Sequence, residues 1–288
     1  MCGIFGWQLK DKKVKYDRRF AVLATQLMLL NDTRGGHSWG YYAPFRSKKN
    51  VGKGLGDISE SIDFTELTDA SSIMVHTRWA SHGSVTIENA HPFWIGKIIG
   101  AHNGVISNHI SLNEMYLRKY EVDSQHIFSH INEGLDLGDI NGYGAIEYVD
   151  TNEPRSIFLT KWNNGQLSVY RFGKNGKSGV IWSSSADHLS QALLMAGFEG
   201  NFVRIDPNVL YVVKNGDIYD TKRTMNFGDD YAKIRWDSNK KISSKGSSGL
   251  ETELFEDEEV KRSGSSESKK NDLKEFPLWE RFNHQVHF

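Results

Sequence analysis

The run GIFGWQL at residues 3–9 is apolar on both of the faces a strand would present. Such a strand has to be covered above and below, which predicts a sheet lying between two other layers. Further strand-type segments are read at 73–76, 97–101, 143–149, 156–162 and 167–172. Asn163-Asn164-Gly165 and Asn215-Gly216 are both hairpin signals. Two segments carry helical spacing instead. Over 17–30 it is Phe20, Leu23, Ala24, Leu27 and Leu30, and over 186–196 it is ADHLSQALLMA, entered through Ser185 as a cap. Strands outnumber amphipathic helices and no strict β-α alternation or internal repeat is present. The expectation is an α+β fold of stacked sheets with helices outside.

The apolar patterning stops near residue 236. From 237 to 275 the chain is dominated by Ser, Lys and Glu, with too little apolar surface to offset chain entropy. That predicts a disordered charged linker between a domain at 2–236 and an aromatic tail, FPLWERFNHQVHF, at 276–288. The tail either docks back on the domain or binds a partner. With a formal net charge of −1, no overall field recruits nucleic acid or an anionic membrane. No apolar run reaches membrane-spanning length, and the first residues lack the order of a signal peptide. One cysteine in 288 residues excludes an internal disulfide and fits a reducing, cytoplasmic address.

That cysteine is Cys2. If Met1 is removed, a thiol and a free α-amine share one residue, and both titrate near neutrality. The amine can take the thiol proton directly or through a water, giving a nucleophile with its own base. The competing reading is an incidental cysteine behind a retained methionine. Three other clusters bear on the choice: RGGHSWG at 34–40, HTRWASHG at 76–83 and HNGVISNH at 102–109.

Together with MCGIFG, these blocks resemble the glutaminase domain of class II, N-terminal-nucleophile glutamine amidotransferases, closest to that of glucosamine-6-phosphate synthase. The blocks occur in the family's order, ENAHPF at 88–93 looks like its NAHPH segment, and the resemblance runs from Cys2 to about Thr221. It implies a four-layer αββα sandwich and hydrolysis of glutamine through a Cys2 thioester, with no cofactor or metal. It also implies roles: Asn103 and the Gly104 N–H as oxyanion donors; Arg78 on the glutamine α-carboxylate; Trp79, Ser81 and His82 as pocket wall; Asp123 on the α-ammonium. Arg34 and Gly35 belong to the supporting loop. Ser81 stands where threonine is more common, Gln125 where glutamate is usual, and His37 where RGYDSAG-type sequences have aspartate.

Bland readings stand beside several of these. Asn103-Gly104 alone is an ordinary turn dipeptide, and Asp123 alone is a helix N-cap. The histidines at 76, 82, 91, 102 and 109 show no zinc-site spacing and read as strand-end and pocket residues. VGKGLGD at 51–57 lacks phosphate-loop spacing and reads as a flexible loop. The residues past 221 are too few for a synthase domain. The expectation is therefore a separate enzyme that accepts ammonia, with the tail as a docking element. A γ-glutamyl amidohydrolase of the same fold and a non-catalytic glutamine-binding regulatory module are the alternatives.

Overall fold

Strand β1 (Gly3–Leu9) is buried at every position, and both of its faces are covered as its composition requires. The structure is a computed structural model that describes residues 2–10, 12–44, 50–63, 67–174 and 177–228. The linker at 237–275 and the tail at 276–288 lie outside the described residues, as does the end of the expected domain at 236. β1 forms part of a seven-stranded antiparallel sheet with β2 (Ser38–Tyr42), β3 (Val51–Leu55), β4 (Ser72–Arg78), β9 (Ser168–Lys174), β10 (Lys177–Ser183) and β11 (Gly200–Val203). Its strand order is β11-β9-β10-β1-β4-β2-β3. A second sheet of six strands takes β5 (Phe93–Ile95), β6 (Ile98–Ile106), β7 (Gly142–Asp150), β8 (Ser156–Trp162), β12 (Val209–Lys214) and β13 (Asp217–Thr224), in the order β13-β12-β8-β7-β6-β5.

Side-chain alternation along β1 separates two interfaces. Phe5, Trp7 and Leu9 pack against Phe20, Leu23 and Leu27 of α1 (Arg18–Asp32) and Leu189 and Leu193 of α5 (Ala186–Ala196). Ile4, with Met74, Val180 and Trp182, instead meets Ala101, Ala145, Val149 and Leu159 of the other sheet. A third cluster joins Ile106, Ile146 and Trp162 to Ile127 and Phe128 of α4 (Gln125–Glu133) and Leu112 of α3 (His109–Met115). Helix, sheet, sheet, helix is the expected αββα sandwich. No described helix is long and apolar enough to cross a membrane.

Several local expectations hold. Ser185 caps α5 through the His188 amide, while α1 starts one residue later than expected, with Asp17 as its cap through the Arg19 amide. Asn215 and Gly216, at φ 54° and 70°, join β12 to β13 in a two-residue hairpin. Two expectations fail. Asn163-Asn164-Gly165 joins no hairpin, because β8 and β9 belong to different sheets and the turn carries the chain across the sandwich. The 51–57 run is not a loop: Val51–Leu55 is β3, paired with β2. Aromatic rings of β2 cover its glycines. A Cβ on Gly52 would stand 2.3 Å from Tyr41, and one on Gly54 would stand 2.5 Å from Trp39.

Candidate active site

The β1–β4 register places Gly3 opposite Thr77, which brings Cys2 beside Arg78 and Trp79. Small residues make this meeting possible. A Cβ on Gly3 would stand 2.5 Å from Asn31 Oδ1, and one on Gly35 would stand 2.5 Å from Thr77 Cβ. Thr77 Oγ1 donates to the Asn31 carbonyl at 2.9 Å, so the end of α1 is seated directly on β4. From the turn that follows α1, Arg34 Nε donates to the Cys2 carbonyl at 3.0 Å. The RGG turn thus supports the backbone of the thiol residue.

Both polar groups of Trp79 face the sulfur. The Trp79 N–H donates to Cys2 Sγ at 3.3 Å, and the thiol donates to the Trp79 carbonyl at 3.4 Å. Burial pushes the Cys2 thiol above its usual range; the Trp79 amide and Arg78 oppose the rise, and Asp123 adds to it. The resting sulfur is therefore a thiol, and attack requires a base. Arg78 is buried, and its guanidinium closes the loop that follows it. Nη1 donates to the Ser84 carbonyl at 3.1 Å and Nη2 to the His82 carbonyl at 2.6 Å. Those bonds leave some of its five N–H donors for a ligand.

Asp123 ties this loop to the second sheet. Its Oδ2 accepts the Ile106 N–H at 2.7 Å and stands 3.8 Å from His82 Nδ1. Its Oδ1 accepts from Ser124 Oγ at 3.3 Å, and that hydroxyl is 2.9 Å from His102 Nδ1. The helix-cap reading of Asp123 fails: the cap position of α4 is Ser124, and the carboxylate turns toward β6. The turn reading of Asn103-Gly104 fails as well, since both lie inside β6 opposite Ala145 and Gly144. The Asn103 side chain makes no hydrogen bond to a described residue, so its amide is free to serve a ligand. The glycine has a packing cause. A Cβ at 104 would lie 2.0 Å from the Tyr143 carbonyl and 2.5 Å from His102 Nε2.

The structure therefore gathers Cys2, Arg78, Trp79, His82 and Asp123 at one end of β4, with Ser81 exposed on the connecting loop and Trp79 53% exposed. His76 links the sheets from β4, its Nε2 donating to the His102 carbonyl at 3.1 Å. Sequence reasoning missed Asn31, Thr77 and Ser124 as supports, because each acts through a partner far along the chain. It named His37 only as a departure and did not foresee its contact with the Trp79–Ala80 segment.

No family model matches the chain. Curated relatives do. The chain is 30% identical over 238 residues to the glutamine–fructose-6-phosphate aminotransferase (isomerizing) of Streptococcus agalactiae serotype V, covering 76% of this chain and 36% of that one. The Bacillus subtilis enzyme of the same name is 32% identical over 193 residues, covering 59% and 30%. The chain is a homologue of glutamine amidotransferases. It spans about a third of the length of these two relatives. Among solved structures, the glutamine phosphoribosylpyrophosphate amidotransferase of B. subtilis superposes with a TM-score of 0.53 at 17% identity, over 78% of this chain and 50% of that one. A second structure, described as the allosteric regulatory enzyme of purine biosynthesis, gives 0.55 at 17% identity over the same shares. At that identity the likeness speaks for the fold, and it agrees with the amidotransferase homology.

Proposed function

We propose that the chain is a glutamine-hydrolysing amidotransferase domain that supplies ammonia to an acceptor synthase. The observation that carries the proposal is the setting of the chain's one thiol. Its sulfur is met by the Trp79 amide and lies within the fields of Arg78 and Asp123, on the fold shared with glutamine-using relatives. Maturation removes Met1 and exposes the Cys2 amine, which takes the proton of the half-buried thiol. The thiolate attacks the glutamine side-chain carbonyl. The oxyanion formed is met by the Asn103 amide and the Gly104 N–H. Collapse returns the proton to the leaving nitrogen as ammonia and leaves a γ-glutamyl thioester. Water, deprotonated by the same amine, releases glutamate and restores the thiol.

In this reading Asp123 takes the α-ammonium and Arg78 takes the α-carboxylate, with Trp79, Ser81 and His82 as the pocket wall. The acceptor is a separate cytoplasmic enzyme, with the 276–288 tail as the element that docks on it. The test is the intact mass of the mature protein before and after 6-diazo-5-oxo-L-norleucine, with glutamate and ammonia assayed in parallel. One adduct on Cys2 together with turnover supports the proposal. A mature Cys2 that neither labels nor turns over glutamine refutes it, and activity on γ-glutamyl conjugates alone would assign an amidohydrolase.

A further inference from the structure

Strand β4 lies between β1 and β2, and successive N–H groups of a strand point to opposite neighbours. The alternation continues past Arg78, where backbone pairing ends and side chains take over. The Trp79 N–H goes to Cys2 Sγ on the β1 side, and the Ala80 N–H goes to His37 Nδ1 on the β2 side, at 3.0 Å. The Trp79 carbonyl that accepts from the thiol belongs to the same peptide plane as the Ala80 N–H. The imidazole also stacks on the Trp79 ring, with centroids 4.3 Å apart and planes inclined by 22°. His37 itself is anchored. Its N–H donates to the Arg78 carbonyl at 3.1 Å, and its carbonyl accepts from the Gly56 amide at 3.2 Å.

We propose that His37 is a positioning residue for the thiol: by holding the Ala80 N–H and the Trp79 ring, it fixes the Trp79–Ala80 peptide that faces Cys2 and the loop that carries Ser81 and His82. This rests on the glutaminase reading. A peptide unit is rigid and turns as a whole. With its N–H held on the β2 side, its carbonyl stays on the sulfur; once released, the plane is free to turn that carbonyl away. Nδ1 must be the bare nitrogen, so Nε2 carries the ring proton. The residue has two separable handles, an acceptor and a flat ring.

Two substitutions in the full chain divide them. His37→Phe keeps a ring over Trp79 and removes the acceptor, whereas His37→Asn removes the ring and keeps an acceptor oxygen near the position of Nδ1. Amide exchange at Ala80 is measured alongside KM and kcat for glutamine. His37→Phe is expected to speed Ala80 exchange about fivefold to tenfold, the scale of one neutral hydrogen bond. KM rises by a similar factor and kcat falls less. His37→Asn should recover most of both. The proposal is overturned if His37→Phe leaves exchange and KM as in the wild type, or if His37→Asn is as defective as His37→Phe. The exchange readout needs no glutamine. A chain that turns over no glutamine but whose Ala80 exchange responds to Phe and not to Asn loses the glutaminase reading and keeps the clamp.

Discussion

Glu147 sits fully buried between the two sheets, and replacing it by glutamine should stabilise the protein in a pH-dependent way. Its Oε2 accepts from Trp182 Nε1 at 2.5 Å across the sandwich, while Oε1 has no partner among the described residues. Burial pushes its pKa well above the ordinary value of 4.5, against the pull of the Trp182 indole and the Val75 amide. The folded carboxyl is therefore protonated where the unfolded one is ionised. For such a raised group the native state suffers no penalty below the unfolded value, and loses stability as pH climbs from there toward the folded value. At pH 7 the gap above 4.5 sets an upper bound of between about 3 and 4 kcal/mol, at about 1.4 kcal/mol per pH unit. Glu147→Gln keeps the acceptor for Trp182 and abolishes the ionisation. Urea unfolding of both proteins should show equal stability near pH 4 and a growing advantage for the variant toward pH 7. A difference that stays constant across that range would mean that Glu147 is charged in the fold, and the reasoning would fail.

Three further outcomes are expected. Burial holds His76 down at about 3, so its neutral form contributes stability above the ordinary histidine range, lost as pH falls from about 6.5 toward 3. Acid titration of unfolding in the Glu147→Gln background reads that loss together with those of the other buried histidines, among them His91, His102 and His126, and substitution of His76 by glutamine should lessen it. Gly104→Ala drives a Cβ to 2.0 Å from the Tyr143 carbonyl and should cost about 1–3 kcal/mol, seen as a lower thermal midpoint. An unchanged midpoint would show that β6 and β7 can part at no cost. Cys2→Ser should keep the unfolding free energy within about 0.5 kcal/mol while removing both glutamine turnover and the diazo-ketone adduct. Residual labelling of that variant would place the reactive group elsewhere.

How much of this was legible depended on where each partner lies. β1 and α5 match their expected spans because burial of an apolar face is written into local composition. β3 was hidden because VGKGL has the composition of a loop, and the tyrosine and tryptophan that make it a strand stand on β2. The Asn163-Asn164-Gly165 turn has the same signature whether the next strand pairs beside it or crosses to the other sheet. At the site, the thiol, the arginine and the HNG block were marked by residue type and order. The carboxylate of Asp123 was ambiguous because its amide partner, Ile106, lies 17 positions away. His37 looked like a substitution without a purpose until the Ala80 amide was placed against it.

The position of β1 within its sheet has a consequence for how the protein is made. The Ile4 amide is bonded to Ser184 Oγ, a partner 180 positions later in the chain, and β1 lies between β4 and that late strand β10. During synthesis from the amino end, the first strand waits for almost the whole sandwich before both of its edges are filled. The backbone next to Cys2 is therefore held on both sides only when β10 arrives, which makes the thiol end of the sheet one of its late-formed parts.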